Sequence, residues 1–337
     1  MMKNRTGLVI AILIVVLLAV VALSFFIGRY SAAPGEVWKV LSRTLAADES
    51  SYNAVVVILK VRLPRILAAI LVGGALALSG ATFQGIFGNP LVSPSLLGTS
   101  AGAGLGACIA IILDFGRFQI QLAALGVGLF ATFITCLLSR LLMKRRDGIV
   151  VYVLVGIVIS AVFQAGISIA KYMADPYTDL QTMTYWLMGS LSNIDLFDVE
   201  FIIPAVALGT IFILVNSYKI NLLSFNEEEA LAMGLNVRSF RLVMIIAATL
   251  LCSSSVAICG VIAWVGLVVP HIARIFVGPD SKKLLPVSFL LGCIYLLLID
   301  DLARSLLTIE IPIGILTSAI GAPVFILLLL GGRSGWR

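Results

Sequence analysis

Charge is what this sequence has least of. Only 12% of its 337 residues are Asp, Glu, Lys or Arg, about half the share of a water-soluble domain. That is too few to cover an aqueous surface, so a soluble enzyme or soluble binding domain is excluded. Histidine is represented by His271 alone, which excludes a multi-histidine metal centre. The five cysteines, Cys108, Cys136, Cys252, Cys259 and Cys293, all lie inside apolar runs, and no CxxC occurs. An odd, scattered set of this kind fits small buried hydrophobes, not a disulfide framework or a metal site. No GxxxxGK[ST] phosphate loop, paired-carboxylate cluster or Ser/His/Asp arrangement is present, so no nucleotide-hydrolysing machinery is expected on this chain. The net charge of +6 sits in short loops between apolar runs, which argues against a nucleic-acid surface.

What the chain has in abundance is apolar length. It is 61% hydrophobic, with a mean hydropathy of +1.12. Runs of about 20 residues recur, enough at 1.5 Å per residue to span a ~30 Å hydrocarbon core. They lack the even alternation of a β-barrel. The fold class is therefore all-α: a polytopic membrane protein with about ten transmembrane helices. These fall near 8–28, 64–86, 95–113, 120–142, 149–169, 198–217, 240–256, 258–270, 284–304 and 312–331. The first run exceeds a signal-peptide core and reads as a retained helix. The seventh and eighth come from one Gly- and Ser-containing stretch, and the third and eighth look short or broken. No window suggests a separate soluble domain, so 1–337 reads as a single transmembrane domain. Arg140, Lys144, Arg145 and Arg146 in one loop, with Lys282 and Lys283 in another, place both termini on the cytoplasmic side by the positive-inside bias.

Several features could carry function. No charged residue falls in the middle of a span. Ion-coupled secondary transporters, the main rival class, place Asp, Glu or Lys there, so energy is expected to enter from outside the bilayer. The stretch 226–236 reads as a short cytoplasmic helix. Asn226 and Glu229 have capping-box spacing, Glu227, Glu228 and Glu229 suit the positive end of the dipole, and Gly234 suits a left-handed stop. Ala230, Leu231 and Met233 give it a small apolar surface for a partner. Arg62, Arg65 and Arg304 fall on the expected outer face, where the local bias is acidic. They could meet carboxylates of a partner or cargo; pairing with Asp300 and Asp301, one helical turn before Arg304, is the alternative. The segment 84–100, with two prolines and three glycines, reads as a turn or broken helix whose polar groups face protein or a water-filled path. Small residues such as Gly73, Gly74, Gly102, Gly104 and Gly106 predict close helix packing. Ala77, Gly80, Pro90 and Gly98 recur 180 residues later as Ala257, Gly260, Pro270 and Gly278, a hint of duplication of the kind found in transporters.

The motifs Arg62-Leu-Pro-Arg65, Gly73-Gly-Ala-Leu-Ala-Leu-Ser-Gly80, Gln84, Asn89-Pro-Leu, Leu97-Gly98, Met233-Gly-Leu-Asn236, Gly266-Leu-Val-Val-Pro-His271, Ile311-Pro-Ile-Gly314 and Gly321-Ala-Pro-Val-Phe325 keep an order and spacing that resembles the iron-chelate and vitamin B12 importer permeases. The resemblance runs over nearly the whole chain. It implies a BtuC-like type II ABC importer permease of ten helices, working as a homodimer or paired similar halves by alternating access. Two cytoplasmic ATPase subunits would carry ATP and Mg, leaving no cofactor on this chain, and an external binding protein would deliver the cargo. Arg62, Arg65 and Arg304 would dock that protein. Glu227, Glu228, Glu229, Ala230, Met233, Gly234 and Leu235, within a segment of about 219–240, would form the ATPase-coupling helix. Gln84, Asn89, Ser93, Ser95, Thr99 and Ser100 would line the path. A cytoplasmic gate would lie at Gly148, Ile149, Val150 and Val151, with Ile149 and Val150 standing where some relatives carry small hydroxyl residues. Iron–siderophore is the leading cargo; haem, cobalamin and molybdate-like oxyanions stay open.

Overall fold

The computed structural model describes residues 2–28, 30, 33–42, 53–142, 148–223, 225 and 227–330. Among these residues helix is the only regular structure. In chain order the helices are α1 (Met2–Ser24), α2 (Pro34–Leu41), α3 (Leu63–Phe87), α4 (Thr99–Ile112), α5 (Arg117–Leu142), α6 (Gly148–Met173), α7 (Asp179–Met188), α8 (Leu196–Val215), α9 (Ser217–Leu222), α10 (Glu227–Ala232), α11 (Val237–Cys259), α12 (Val265–Val277), α13 (Ser281–Ala303) and α14 (Ile313–Leu330). A π-helical turn, Val56–Arg62, runs into α3, and a 3-10 turn, Pro94–Leu97, precedes α4. Each of the ten apolar segments contains a helix among the described residues. Six of the described helices are long and apolar enough to cross a membrane, and Thr99–Ile112, Val265–Val277 and Ile313–Leu328 are shorter apolar helices. The multi-pass membrane reading stands on this pattern.

Helix α3 is the centre of the bundle, buried along almost its full length. Its packing explains the glycines. A methyl group at Gly73 would collide with the Gly292 carbonyl of α13, and one at Gly80 with the Gly266 carbonyl of α12. In lipid there is no hydrophobic drive between helices, so backbone-to-backbone approach of this kind supplies the contact energy. Gly106 of α4 meets the Ala123 carbonyl of α5 in the same way. Helix α11 is the second buried core helix. By contrast α1, α6 and the second half of α14 leave wide apolar faces exposed, including Leu18, Val158, Val162, Ile326 and Leu327. Those faces suit lipid or a second subunit. All five cysteines are buried and free.

Two of the expectations resolve at residues 260–264. The seventh and eighth spans are indeed separate: α11 ends at Cys259, capped by Gly260 (φ +70°), and the chain runs non-helically to Trp264 before α12 begins at Val265. Gly260 and Ile262 of this non-helical segment are buried in protein while Ala263 is exposed. The duplication hint is matched at two of its four positions. Gly80 lies inside a helix whereas Gly260 ends one, and Pro90 lies in a turn whereas Pro270 lies inside α12. Gly98 and Gly278 each hold positive φ beside a helix end, and Ala77 and Ala257 are both buried inside helices.

Candidate functional site

The bundle has two functional-looking ends. At the first, Arg62, Arg65 and Arg304 converge. Arg65 Nε donates to Asp300 at 2.7 and 3.0 Å, and its Nη1 donates to Glu310 at 2.8 Å. Arg304 pairs with Asp301 and donates to the Ser24 carbonyl at 2.9 Å. Arg62 donates to the carbonyls of Phe25 and Tyr30. Ser24 Oγ donates to Asp301 at 2.6 Å. The network ties the end of α1, the start of α3, the end of α13 and the segment before α14 into one block.

This corrects the docking expectation. The three arginines are 3, 3 and 5% exposed, so none presents its guanidinium to an outside partner in this structure. The reason is local pairing, extended across helices. The sequence spacing reveals the Arg304–Asp301 pair but not the Arg65–Asp300 pair, whose members are 235 positions apart. Of this network only Glu310, with a side chain 31% exposed, looks out from the Arg65 pair.

Beside the network, at the same end, lies a cavity of about 640 Å³ that the sequence did not disclose. The N-terminal turn of α5, α7 with the following 190–194 segment, and the end of α11 enclose it. Arg117 bonds Asp195, Asp198 and the Asn193 carbonyl. Gln121 Nε2 donates to Asp198 at 2.6 Å, while the buried Gln121 Oε1 has no partner among the described residues. Tyr185, Ser190 and Ser192 share a hydroxyl cluster at 3.0–3.3 Å on the opposite wall. Asp195 and Asp198 form a reciprocal capping box that starts α8. The available signal was Arg117, an arginine flanked by a helix start at the acidic end, together with the Asp195-x-x-Asp198 cap.

At the other end, α10 packs against the bundle on one side only. Ala230 and Leu235 are buried at its base, while Glu228, Glu229, Leu231 and Met233 are exposed. Gly234 (φ +82°) stops it, with Gly234 N–H donating to Leu231 O at 2.8 Å and Leu235 N–H to Ala230 O at 2.9 Å. The left-handed stop is thus as the sequence indicated. Asn226 and the side chain of Glu227 lie outside the described residues. Asp280 fixes the neighbouring elements: it caps α13, accepts from Asn221 Nδ2 of α9 at 2.9 Å and pairs with Lys283 at 3.4 Å. Burial opposes its charge, but these hydrogen bonds and Lys283 win and hold its carboxyl below the usual range.

The expected path residues split. Gln84 is fully buried; its Nε2 donates to Leu267 O at 3.3 Å and its Oε1 accepts from Arg274 at 3.2 Å. Thr99 is fully buried and hydrogen-bonded to Thr132 at 2.7 Å. These two are packing residues between helices, not lining, because each spends its polar atoms on a neighbouring helix. Ser100 is half-buried. Asn89 and Ser95 are exposed and Ser93 half-buried, in a turn held by Asn89 Oδ1 accepting from Leu91 N–H at 2.9 Å. At the expected gate, Gly148 and Ile149 begin α6 with side chains outside the described residues; Val150 is exposed and Val151 buried. His271 packs edge-on against Phe325.

The model of the FecCD transport family matches residues 14–331. Over 323 residues, 96% of this chain and 95% of the other, the chain is 38% identical to the molybdate import system permease protein MolB of Haemophilus influenzae. It is 36% identical over 321 residues, 94% of this chain and 96% of the other, to a probable iron chelatin transport system permease protein of Helicobacter pylori. It is 37% identical over 322 residues, 95% and 93% of the two chains, to the vitamin B12 import system permease protein BtuC of Citrobacter koseri. Among solved structures it superimposes with a TM-score of 0.86, at 35% identity and covering 96% and 99% of the two chains, on a chain in an inward-facing conformation assigned to the metal-chelate type of ABC transporter.

Proposed function

This chain belongs to the FecCD transport family and is an ABC importer permease; from that premise we propose that it moves an iron–siderophore chelate across the plasma membrane by alternating access. It works as one of two copies. Two cytoplasmic ATPases sit at the α10 end, and an external binding protein sits at the arginine end. Both termini face the cytoplasm. ATP and Mg belong to the ATPases, and this chain binds no cofactor.

The observation that carries the reading is α10. A six-residue helix with Glu228, Glu229, Leu231 and Met233 exposed gains nothing by turning that side away from the bundle alone. It is built to enter a groove on a partner. Its base is anchored through Ala230 and Leu235, and α9 is tied to α13 through Asp280, so force on it reaches the core. At the outer end the binding protein meets the surface around Glu310 and the cavity. The buried arginine block beneath keeps α1, α3 and α13 together under that load. The paired apolar faces of α6 and α14 lie at the subunit interface and enclose the path. Val150 and Val151 lie at its cytoplasmic mouth, with Asn89, Ser93 and Ser95 near by.

The cavity supports an organic chelate over a bare oxyanion. Its one cation, Arg117, is answered by Asp195 and Asp198, which leaves no net positive charge to receive molybdate. Amides, hydroxyls and the rings of Tyr185 and Trp186 line a volume of about 640 Å³, within the size range of small-molecule sites. The test is uptake in proteoliposomes holding the permease, its ATPases and its binding protein, with iron–siderophore and molybdate offered side by side. ATP-dependent iron uptake is expected. Molybdate uptake without iron uptake would overturn the cargo, and uptake by the permease alone would overturn the ATP-driven machine.

A further inference from the structure

At the arginine end, three chain segments meet with no side chain between them. They are the 186–190 turn after α7, the 259–262 end of α11, and the first turn of α14. Ser190 N–H donates to Cys259 O at 2.8 Å, and Gly314 N–H reaches Gly189 O at 3.4 Å. A methyl at Gly260 would collide with the Trp186 carbonyl. One at Gly314 would collide with the Met188 carbonyl and lie 3.0 Å from that of Val261. One at Gly189 (φ +72°) would lie 2.5 Å from the Val261 carbonyl. The last turns of α11 are wholly buried in the bundle, so this junction anchors α14 to a buried core helix. Ile313 and Thr317 are fully buried beside it.

The rest of α14 is different. Pro323, nine residues on, supplies no N–H to the helix ladder, which weakens it there. Beyond it, Ile326, Leu327 and Leu330 are 57, 67 and 77% exposed. Between the two halves, Gly321 lets Trp264 pack against α14, and the Trp264 ring lies 6.1 Å from that of Phe325. Trp264 holds φ +71°, a conformation unfavourable for a bulky residue and persisting only where its surroundings enforce it.

We infer that the glycine junction at Gly189, Gly260 and Gly314 is a fixed pivot, about which α14 tilts as one rod during the transport cycle. The inference rests on the import reading, since it assigns α14 a motion within that cycle. Gly314 and Leu327 are 13 positions apart, about 20 Å along a helix, so a tilt of about 15° moves Leu327 by about 5 Å while the pivot stays put. Gly314 is here a positioning residue.

The test uses spin-label pairs in the complete transporter in lipid nanodiscs, with labelled permease diluted into unlabelled so that each dimer carries one pair. One pair joins Gln181 of α7 to Ile315 of α14, across the pivot. The other joins Leu327 of α14 to Val243 of α11, at the distal end. Between the nucleotide-free and the ATP-trapped states, the first distance is expected to hold within about 2 Å and the second to shift by about 5 Å. A shift in the first pair as large as in the second overturns the pivot, and so does an unchanged second pair. ATP-driven uptake, assayed with the same labelled protein in vesicles, separates the two readings: its absence refutes the import function, and its presence with an unchanged second pair refutes only the pivot. Gly314→Ala adds a check. It is expected to leave ATP hydrolysis within about twofold, lower uptake at least tenfold and shift the first pair. Normal uptake with both distances unchanged would also overturn the proposal.

Discussion

Removing the Arg65 side chain separates a structural role for the arginine block from a docking role. Arg65→Ala deletes two bonds to Asp300, at 2.7 and 3.0 Å, and one to Glu310 at 2.8 Å. Asp300, with a fully buried side chain, is left with Arg304 Nε at 3.7 Å as its nearest cation. Breaking one partner of a buried pair costs about 3–5 kcal/mol, because the remaining charge is stranded away from water. Asp300→Ala leaves Arg65 its bond to Glu310 at 2.8 Å and is expected to cost less. The double variant strands neither, so the two costs do not add, and a coupling of about 2–3 kcal/mol follows. The assay is reversible unfolding of the four proteins in mixed micelles, read as a double-mutant cycle, with binding-protein affinity measured on the folded fraction of each. The reasoning is refuted if the two costs add to within about 0.5 kcal/mol. It is equally refuted if Arg65→Ala leaves stability unchanged and weakens the binding protein, for that is what an exposed docking arginine does.

Three further outcomes follow from the geometry. Gly80→Ala, whose new methyl meets the Gly266 backbone, is expected to cost about 3 kcal/mol or more as overpacking, whereas Gly126→Ala, with nothing within 4 Å, is expected to be neutral or slightly stabilising; thermal unfolding in detergent compares them. Leu231→Asp on the exposed side of α10 is expected to weaken ATPase-subunit binding about tenfold or more, roughly 1.4 kcal/mol, with unchanged permease stability, as read by titration in nanodiscs. Asp280 has a depressed carboxyl in the folded state, so its contribution is fully present above the ordinary aspartate value of about 4 and is lost as pH falls through the lower folded value. Acid titration of stability is expected to show that loss in the parent protein and not in Asp280→Asn.

Reading charge in this sequence was reliable about position and blind to partners. The arginines and the acidic helix lie at opposite ends of the bundle, as composition and loop placement required. Yet Arg62, Arg65 and Arg304 turned inward, because their partners come from α1, from the far end of α13 and from the segment before α14. A cation preceding a membrane span looks the same in sequence whether it faces water or a carboxylate 235 positions away. Gln84 and Thr99 misled for a related reason: polar residues in a Gly- and Pro-rich stretch can serve a path or satisfy one another across helices, and here they do the latter. Arg117 and Gln121 were passed over because their cavity is assembled from α5, α7 and α11, and no one of these marks it.

By itself the sequence determined the solvent, the all-helical class and much of the punctuation. A chain with 12% charge and runs of about 20 apolar residues has no stable arrangement but helices in lipid, since every backbone polar group must be satisfied within its own segment. Gly234 stops its helix in a sequence-readable way because left-handed backbone favours glycine, whereas the stop at Gly260 fell inside an expected span. The tertiary structure alone decided which glycines touch, which charges pair and where a cavity opens. Those depend on which helices become neighbours, a long-range outcome of packing that local pattern does not encode.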